Sequence, residues 1–289
     1  MTDMSVQTAF TEVADRVLVA RYAQWDVNVG LVLGRDAALV VDTRASERQG
    51  RQVLDEVARL LGGVPLAHVV NTHVHFDHTF GNVVFTECEV HAHARVAATL
   101  EDEARRVKDA CRADPGDAPE YGYTAADLRD VVATQLRLPD RTFTGEAAID
   151  LGDRVVRLAY AGRAHTDGDI RVEVPDADVV FLGDLIEESS HPSLGADSWP
   201  LEWTRTLDAH LARVGPGTVV VPGHGRPVDS AFVAAQSAAL ATVAEIIRER
   251  HRAGQPLDAA QQEPDSRLPY LLADLREAFA RGYAQLSGP

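Results

Sequence analysis

The stretch "NTHVHFDHTFGN", residues 71–82, decides the fold. It places His73, His75, Asp77 and His78 within six residues, although the 289-residue chain has only 11 histidines. Imidazole and carboxylate groups are the usual protein ligands of zinc and similar divalent metals. We therefore interpret the stretch as a metal-binding motif, the alternative being a polar loop that is rich in histidine.

The spacing within the motif favours two metal ions over one. The preceding "LAHVVNT" is predicted as a short buried strand that leads into the motif. His73 and His75 are two residues apart at the end of that strand, so their side chains should point to the same side. Asp77 and His78 follow where the chain turns and should point elsewhere. One segment thus offers two pairs of ligands in two directions.

Three distant residues are candidates for completing the site. His165 lies in the turn "AGRAHTDGD", Asp184 follows a glycine in "VVFLGDLIEE", and His224 lies between glycines in "VVVPGHGRP". Each is a polar residue at the end of a predicted strand, where sheet edges can face one cleft. Taken singly each is more often a loop residue, but with the motif they form a coherent set.

The hydrophobic pattern predicts an α/β protein. The first 45 residues read as strands, among them the buried run "DAALVVDT" that ends near Asp42, and residues 46–61 have helical spacing. Strands return with "RVVRLAYAG", "IRVEVP", "DVVFLGD" and "TVVVPGHG". Two β-rich halves with helices outside predict a four-layer αββα sandwich.

Two helical segments are predicted beyond this plan. Residues 95–139 read as a helical flap insertion, whose second helix has Thr124 and Asp127 in capping-box spacing. Residues 231–289 read as a helical C-terminal tail with an apolar stripe, which favours core packing and leaves a homodimer face open. We expect residues 1–230 to form the catalytic domain and residues 231–289 an extension packed on it.

Composition limits the partners and the location. The formal net charge of −16 works against nucleic-acid binding. There is no run of about 18 apolar residues, so no membrane span is expected. The start, "MTDMSVQTAF", lacks the features of a signal peptide, and the two cysteines have no metal-type spacing. We predict a cytoplasmic protein with a small-molecule substrate and no nucleic-acid or membrane partner.

The ordered ligand set resembles the metallo-β-lactamase-fold superfamily of hydrolases. The resemblance covers roughly residues 15–227, and Asp42 matches the first motif of that family. The resemblance implies two metal ions. The first would be bound by His73, His75 and His165, and the second by Asp77, His78 and His224. Asp184 would bridge the two ions, and Asp42 would support the ligands from behind.

The resemblance implies a dinuclear metal-dependent hydrolase. A metal-bridging hydroxide would attack the acyl carbonyl of a small ester, thioester, lactone or amide, and Asp77 would also orient the water or move its proton. Zinc is favoured for both divalent ions, with iron or manganese as alternatives. A mononuclear iron enzyme resembling the persulfide dioxygenases remains the alternative function. A non-catalytic module on a decayed enzyme fold is disfavoured because no ligand is missing.

The residues after Asp184 bear on the substrate. In the β-lactamases of this fold that position is typically cysteine or serine, and one branch has a lysine shortly afterwards. Here Glu187 and Glu188 follow, so a true β-lactamase is disfavoured. Thioesterases resembling glyoxalase II share the aspartate, but their next segment does not match "LIEESSHPSLGADSWP".

The remaining aromatic and histidine residues carry weaker signals. Tyr22, Trp25 and Trp199 are candidates for substrate contact, with ordinary packing as an equal alternative. His68, His91 and the other histidines outside the ligand set are interpreted as structural or isolated.

Overall fold

The computed structural model describes residues 9–118 and 122–288. The first eight residues, on which the predicted location partly rests, lie outside the described part. So do residues 119–121 of the loop between the two flap helices, and residue 289.

Two β-sheets face each other. Within the described residues, the first has seven strands in the order β1 to β7, and the second has five in the order β12-β11-β10-β9-β8. The inner strands β3, β4 and β11 are nearly continuous buried runs, because both faces of the sheets are covered there. The strand bounds are β1 Phe10–Ala14, β2 Val17–Arg21, β3 Asn28–Leu33, β4 Ala38–Val41, β5 Leu66–Val70, β6 Glu89–His93, β7 Arg141–Phe143, β8 Glu146–Asp150, β9 Val155–Tyr160, β10 Ile170–Val174, β11 Val179–Glu187 and β12 Val219–His224.

Helices cover the outer faces of both sheets. Their bounds are α1 Glu47–Ala58, α2 Phe76–Thr79, α3 Ala94–Ala113, α4 Ala125–Ala133, α5 Trp203–Leu211, α6 Ser230–Arg252, α7 Leu257–Ala260 and α8 Arg276–Ser287. Val53 and Val57 of α1 pack on the first sheet, and Trp203 and Leu207 of α5 pack on the second. The four layers confirm the predicted αββα sandwich.

The sheets meet in a tightly packed central core. Buried valine, leucine and isoleucine side chains from both sheets fill it, together with Phe181. A methyl group on Gly30 of β3 would overlap the Phe181 ring of β11, so glycine makes room for that ring between the sheets. This packing holds the strand ends of the two sheets beside one another.

The predicted flap connects the parallel strands β6 and β7. Thr124 and Asp127 form the predicted capping box at the start of α4. The buried residues of α3 share a hydrophobic cluster with Val74 and Phe80, which lie in or beside the histidine-rich stretch. The flap therefore packs directly against that stretch.

The helical C-terminal region packs on the second sheet. Along the predicted stripe, Leu275 and Phe279 are fully buried and Tyr283 nearly so, whereas Leu286 is exposed. By length and composition alone α6 would also pass as a membrane span, but a buried core helix passes the same test and many α6 side chains are buried. The domain division at residue 230 stays a prediction.

Candidate metal centre

Two asparagines, at the two ends of the histidine-rich stretch, hydrogen-bond to each other and close the stretch into a loop. Asn71 Nδ2 donates to Asn82 Oδ1 at 3.0 Å, and Asn82 Nδ2 donates to Asn71 Oδ1 at 2.8 Å. β5 ends at Val70, so His73 and His75 lie in the loop beyond the strand and not at its end as expected. Their rings nevertheless lie edge to face, with centroids 4.8 Å apart.

Other candidates come from α2 and from two strands of the second sheet. Asp77 and His78 lie on the single turn of α2, and His224 is the last residue of β12. Asp184 lies inside β11, which continues to Glu187 and does not end at the aspartate as expected. Gly183 has φ 53°, and the pairing with β12 shifts register there. This irregularity, which glycine permits, is typical of the bulges that re-aim a side chain at a site.

A first group of four residues has its candidate ligand atoms within 4.8 Å of one another: His73, His75, His165 and Asp184. His165 Nε2 lies 2.9 Å from His75 Nδ1. Asp184 Oδ2 lies 3.4 Å from His165 Nε2 and 3.7 Å from His73 Nε2. Four candidate ligand atoms thus surround one space of a size that suits a metal ion.

A second group lies beside the first and consists of Asp77, His78 and His224. Asp77 Oδ2 is 3.6 Å from the Nε2 atoms of both histidines, and those two atoms are 3.4 Å apart. Asp184 reaches this group too, because its Oδ1 is 3.2 Å from His78 Nε2 and its Oδ2 is 3.3 Å from His224 Nε2. The structure therefore brings all seven predicted ligands together, with Asp184 between the groups.

The arrangement fits divalent metal ions. His73 Nε2 and Asp184 Oδ1 are buried and have no hydrogen-bond partner among residues 9–118 and 122–288, which costs free energy unless a cation or another group satisfies them. Two ligand atoms on one tetrahedral zinc at 2.0–2.1 Å are about 3.3 Å apart. The spacings in both groups lie close to that value, so the donor set suits zinc and similar ions.

The electrostatics around the second group favour positive charge. Burial opposes protonation of His78, but the carboxylates of Asp184, Asp77 and Asp42 outweigh it and hold its pKa well above the ordinary value. Burial likewise opposes protonation of His224, yet Asp184 raises its pKa to about 10. Buried carboxylates at this density attract cations strongly.

Asp42 lies directly behind the second group. It has φ 64°, and its carboxylate accepts hydrogen bonds from Thr72 N at 2.8 Å and Thr72 Oγ1 at 2.7 Å. His78 Nδ1 lies 2.8 Å from Asp42 Oδ2. A proton on Nδ1 leaves Nε2 free to bind a metal, which is how carboxylates behind a site usually orient histidine ligands.

Three further supports were not expected from the sequence. His75 Nε2 lies 2.9 Å from Asp197 Oδ2. His165 Nδ1 donates to Ser193 O at 3.0 Å, and His224 Nδ1 donates to Trp25 O at 2.7 Å. Each partner fixes the outer ring nitrogen and leaves the inner one facing the site. Backbone carbonyls have no sequence signature. Asp197 is one of the 44 acidic residues of the chain and has no motif around it that would single it out.

Tyr22, predicted as a substrate contact, is buried in the core in this structure. Its side chain is only 4% exposed and its hydroxyl is 3.1 Å from Glu56 Oε2. The guanidinium of Arg44 lies over its ring, 3.8 Å from the centroid. Tyr22 follows the exposed end of β2 and points into the core between the first sheet and α1.

The two tryptophans stay candidates. Trp25 packs edge-on against Phe76 and stacks on Tyr123, while its carbonyl holds His224. Trp199 lines a cavity of about 320 Å³ next to Asp197. Its ring lies between Arg163 and Arg281, with centroid distances of 3.6 Å and 5.0 Å.

This cavity adjoins the centre, because Asp197 lines it and also contacts His75. Its walls come from the flap helix α3, from the loop that contains Trp199 and from α8. Its ionisable lining residues are Asp102, Glu103, Asp167 and Asp197 with Arg106 and Arg281, so acidic groups are in excess.

Two curated relatives share about two thirds of this chain. The type 2 metallo-beta-lactamase of Bacillus cereus is 27% identical over 203 residues, which are 69% of this chain and 68% of that protein. The acyl-coenzyme A thioesterase MBLAC2 of Bos taurus is 28% identical over 206 residues, 68% of this chain and 72% of that protein. The chain is thus similar to proteins with different named substrates.

Solved structures show the same fold. The sec-alkylsulfatase Pisa1 from Pseudomonas has a TM-score of 0.74 at 17% identity and covers 94% of this chain, which spans half of that protein. The DIM-1 metallo-beta-lactamase has a TM-score of 0.61 at 19% identity, covering 81% of this chain and 96% of its own. The family model of the metallo-beta-lactamase superfamily matches residues 23–224, well over half of the chain. The chain belongs to the metallo-beta-lactamase superfamily.

Proposed function

We propose that the protein is a dinuclear metal-dependent hydrolase that cleaves an ester, thioester, lactone or amide bond of a small molecule. The observation that carries this proposal is the convergence of seven histidine and aspartate side chains in two groups that meet at Asp184. Membership of a superfamily whose relatives include a thioesterase and β-lactamases supports hydrolysis.

The two groups would hold one divalent ion each, with Asp184 shared. Such ions supply Lewis-acid polarisation of a substrate oxygen and a water that is acidic enough to react near neutral pH. Zinc is the ion we favour because the ligands are imidazoles and carboxylates, which also accept iron or manganese.

The protein's own groups position the reacting atoms. Asp77 is 7% exposed and its Oδ2 faces both histidines of the second group, so it is placed to orient a water or to accept its proton. Asp42 and Asp197 hold the imidazoles of His78 and His75 from behind. Ligands held in this way need little rearrangement during the reaction.

Glu187 is an argument against a substrate that places a carboxylate beside the metal centre. Its carboxyl group lies among candidate ligand atoms of Asp184 and His224, all within 4.8 Å, and is 7% exposed. Burial raises its pKa to about 7. In either protonation state Glu187 lacks the positive charge that would bind a carboxylate, and the adjoining cavity is acidic as well. A β-lactam is therefore disfavoured relative to a neutral ester, thioester or lactone.

Metal analysis combined with a substrate panel tests the proposal. Purified protein should contain close to two equivalents of metal and should hydrolyse an aryl ester, a thioester or a lactone faster than a chromogenic cephalosporin. Asp184→Asn should lower both the metal content and the turnover. Glu188→Gln is the matched control, because Glu188 is the neighbouring acid that pairs with Arg226 at the surface.

Two results would contradict the proposal. One is a folded, metal-free protein after expression with abundant metal. The other is unchanged turnover in Asp184→Asn. Consumption of dioxygen by a protein that contains iron would instead support the oxidoreductase alternative. The cytoplasmic location and the absence of nucleic-acid or membrane partners stay predictions from composition.

A further inference from the structure

A second cluster of metal-type side chains lies on the first sheet, outside the seven residues of the centre. It consists of His68 on β5 and of Glu89 and His91 on β6. The strands are parallel neighbours, and His68 pairs in register with Glu89. Because residues two apart in a strand share a face, the three side chains lie on the same face of the sheet.

The distances within this cluster match a shared ion. His68 Nδ1 and His91 Nε2 are 3.2 Å apart, and Glu89 Oε2 lies 3.9 Å from His91 Nε2. Two nitrogen ligands at 2.0–2.1 Å from a tetrahedral zinc are about 3.3 Å apart. The imidazole pair already has about that spacing, and Glu89 Oε2 would need to move about 0.6 Å towards His91 Nε2 to reach it.

The carboxylate of Glu89 is oriented by a third strand. Arg141 on β7 donates through Nε at 3.0 Å and Nη2 at 2.8 Å, and both bonds go to Oε1. The other oxygen, Oε2, is the one that faces His91. The side chain of Glu89 is 45% exposed and that of His91 is 13% exposed, so an ion can enter from solvent and then be partly shielded.

Both imidazoles are prepared to donate lone pairs at neutral pH. Burial lowers the pKa of His91 to about 4 and also lowers the pKa of His68. Metal binding requires neutral imidazole, so no proton needs to be displaced from these rings. The competing explanation is a single N–H···N hydrogen bond between the two rings, which would not involve Glu89.

We propose that His68, Glu89 and His91 form an auxiliary site for a divalent transition-metal ion such as zinc, with a fourth position open to water. Two imidazoles favour this class of ion over magnesium or calcium. An ion held there would link β5 to β6 and would stabilise the sheet by mass action. The proposal does not rest on the proposed function.

Zinc titration of the purified protein tests this site. Protein that retains the metal of its centre is dialysed against metal-free buffer and titrated with Zn²⁺ by calorimetry. We expect one additional equivalent to bind. Because one ligand is lost, His68→Gln and His91→Gln should each raise the dissociation constant at least about tenfold. His191→Gln is the control, since His191 is a more exposed histidine near Asp274 and outside the cluster.

Glu89→Gln distinguishes the site from the hydrogen bond. The metal site predicts at least about tenfold weaker binding of the additional zinc, since a charged ligand is lost. If the rings only share a hydrogen bond, any additional zinc binds elsewhere on the protein and its affinity should not change. Because the Glu89 side chain is 45% exposed, Glu89→Gln should fold, and it serves as the test if a histidine variant does not. No additional zinc in the wild type, or equal uptake by wild type and His91→Gln, would overturn the proposal. Metal retained before titration is measured separately, so failure of the centre remains distinguishable.

Discussion

Replacing Asp42 with asparagine should weaken metal binding in the second group without disturbing the fold. Asparagine has almost the same shape and tolerates the left-handed backbone conformation at this position, where φ is 64°. The substitution therefore changes the charge and the hydrogen-bonding capacity but not the backbone. Alanine would confound the result, because it would add backbone strain.

The magnitude follows from the hydrogen bonds. Asp42 Oδ2 lies 2.8 Å from His78 Nδ1 and holds a proton on that nitrogen. An amide NH₂ in its place donates, so it would favour the tautomer with the proton on Nε2. That atom faces Asp77 and Asp184 and would no longer bind a metal. Loss of such a supporting carboxylate typically lowers metal affinity about 10- to 100-fold, equivalent to about 1.4–2.8 kcal/mol.

Chelator competition with Zn²⁺ measures this effect, and metal analysis after dialysis should show loss of metal from the second group before the first. Asp169→Asn is the matched control. Asp169 is also a buried aspartate, and it accepts hydrogen bonds from Thr166 N and Thr166 Oγ1. In the part of the chain that the structure describes, it makes no hydrogen bond to a histidine ligand. Wild-type zinc affinity in Asp42→Asn, or an equal loss in both variants, would refute the reasoning.

Three further outcomes are expected. Asp197→Asn should weaken zinc binding about tenfold in chelator competition, because His75 Nε2 loses its carboxylate partner. Gly223→Ala should lower the metal content while the circular dichroism spectrum is retained, because the added methyl overlaps the Asp184 carboxylate. Burial lowers the pKa of His210 to about 3 from 6.5. Between pH 6.5 and about 3 the unfolded chain therefore binds a proton that the folded chain excludes. The free energy of unfolding, measured by urea titration, should fall by several kcal/mol as the pH drops through this range. The fall should be smaller in His210→Gln.

Each of these expectations has a contrary outcome. Unchanged zinc affinity in Asp197→Asn would mean that the loop carboxylate does not orient the ligand. A fully metallated Gly223→Ala would show that the strands have room for a side chain there. Parallel pH profiles for wild type and His210→Gln would mean that His210 does not contribute to acid sensitivity.

Local signals identified most of the architecture correctly. The apolar strands predicted two covered sheets, and the capping box of Thr124 and Asp127 predicted the start of α4, because these features depend on residues close together in the chain. The seven candidate ligands were also chosen from sequence alone. Their chemistry and their positions near predicted strand ends are local properties, and the structure brings them into one pocket.

Other features depended on contacts between distant segments. Tyr22 was expected to contact substrate, but burial against Arg44 and Glu56 is decided by how α1 packs on the first sheet. The support from Asp197 and from the carbonyls of Ser193 and Trp25 arises only when loops from separate parts of the chain fold back onto the histidines.

The sequence by itself determined which side chains are available for metal chemistry and that they follow or lie near strands. The tertiary structure decided which nitrogen of each histidine faces inward, where Asp184 is aimed by the irregularity at Gly183, and which residues form the adjoining cavity. It also placed His68, Glu89 and His91 on one face, since register between β5 and β6 cannot be read from either strand alone. Ligand type is a property of a residue, whereas ligand geometry is a property of how distant segments pack.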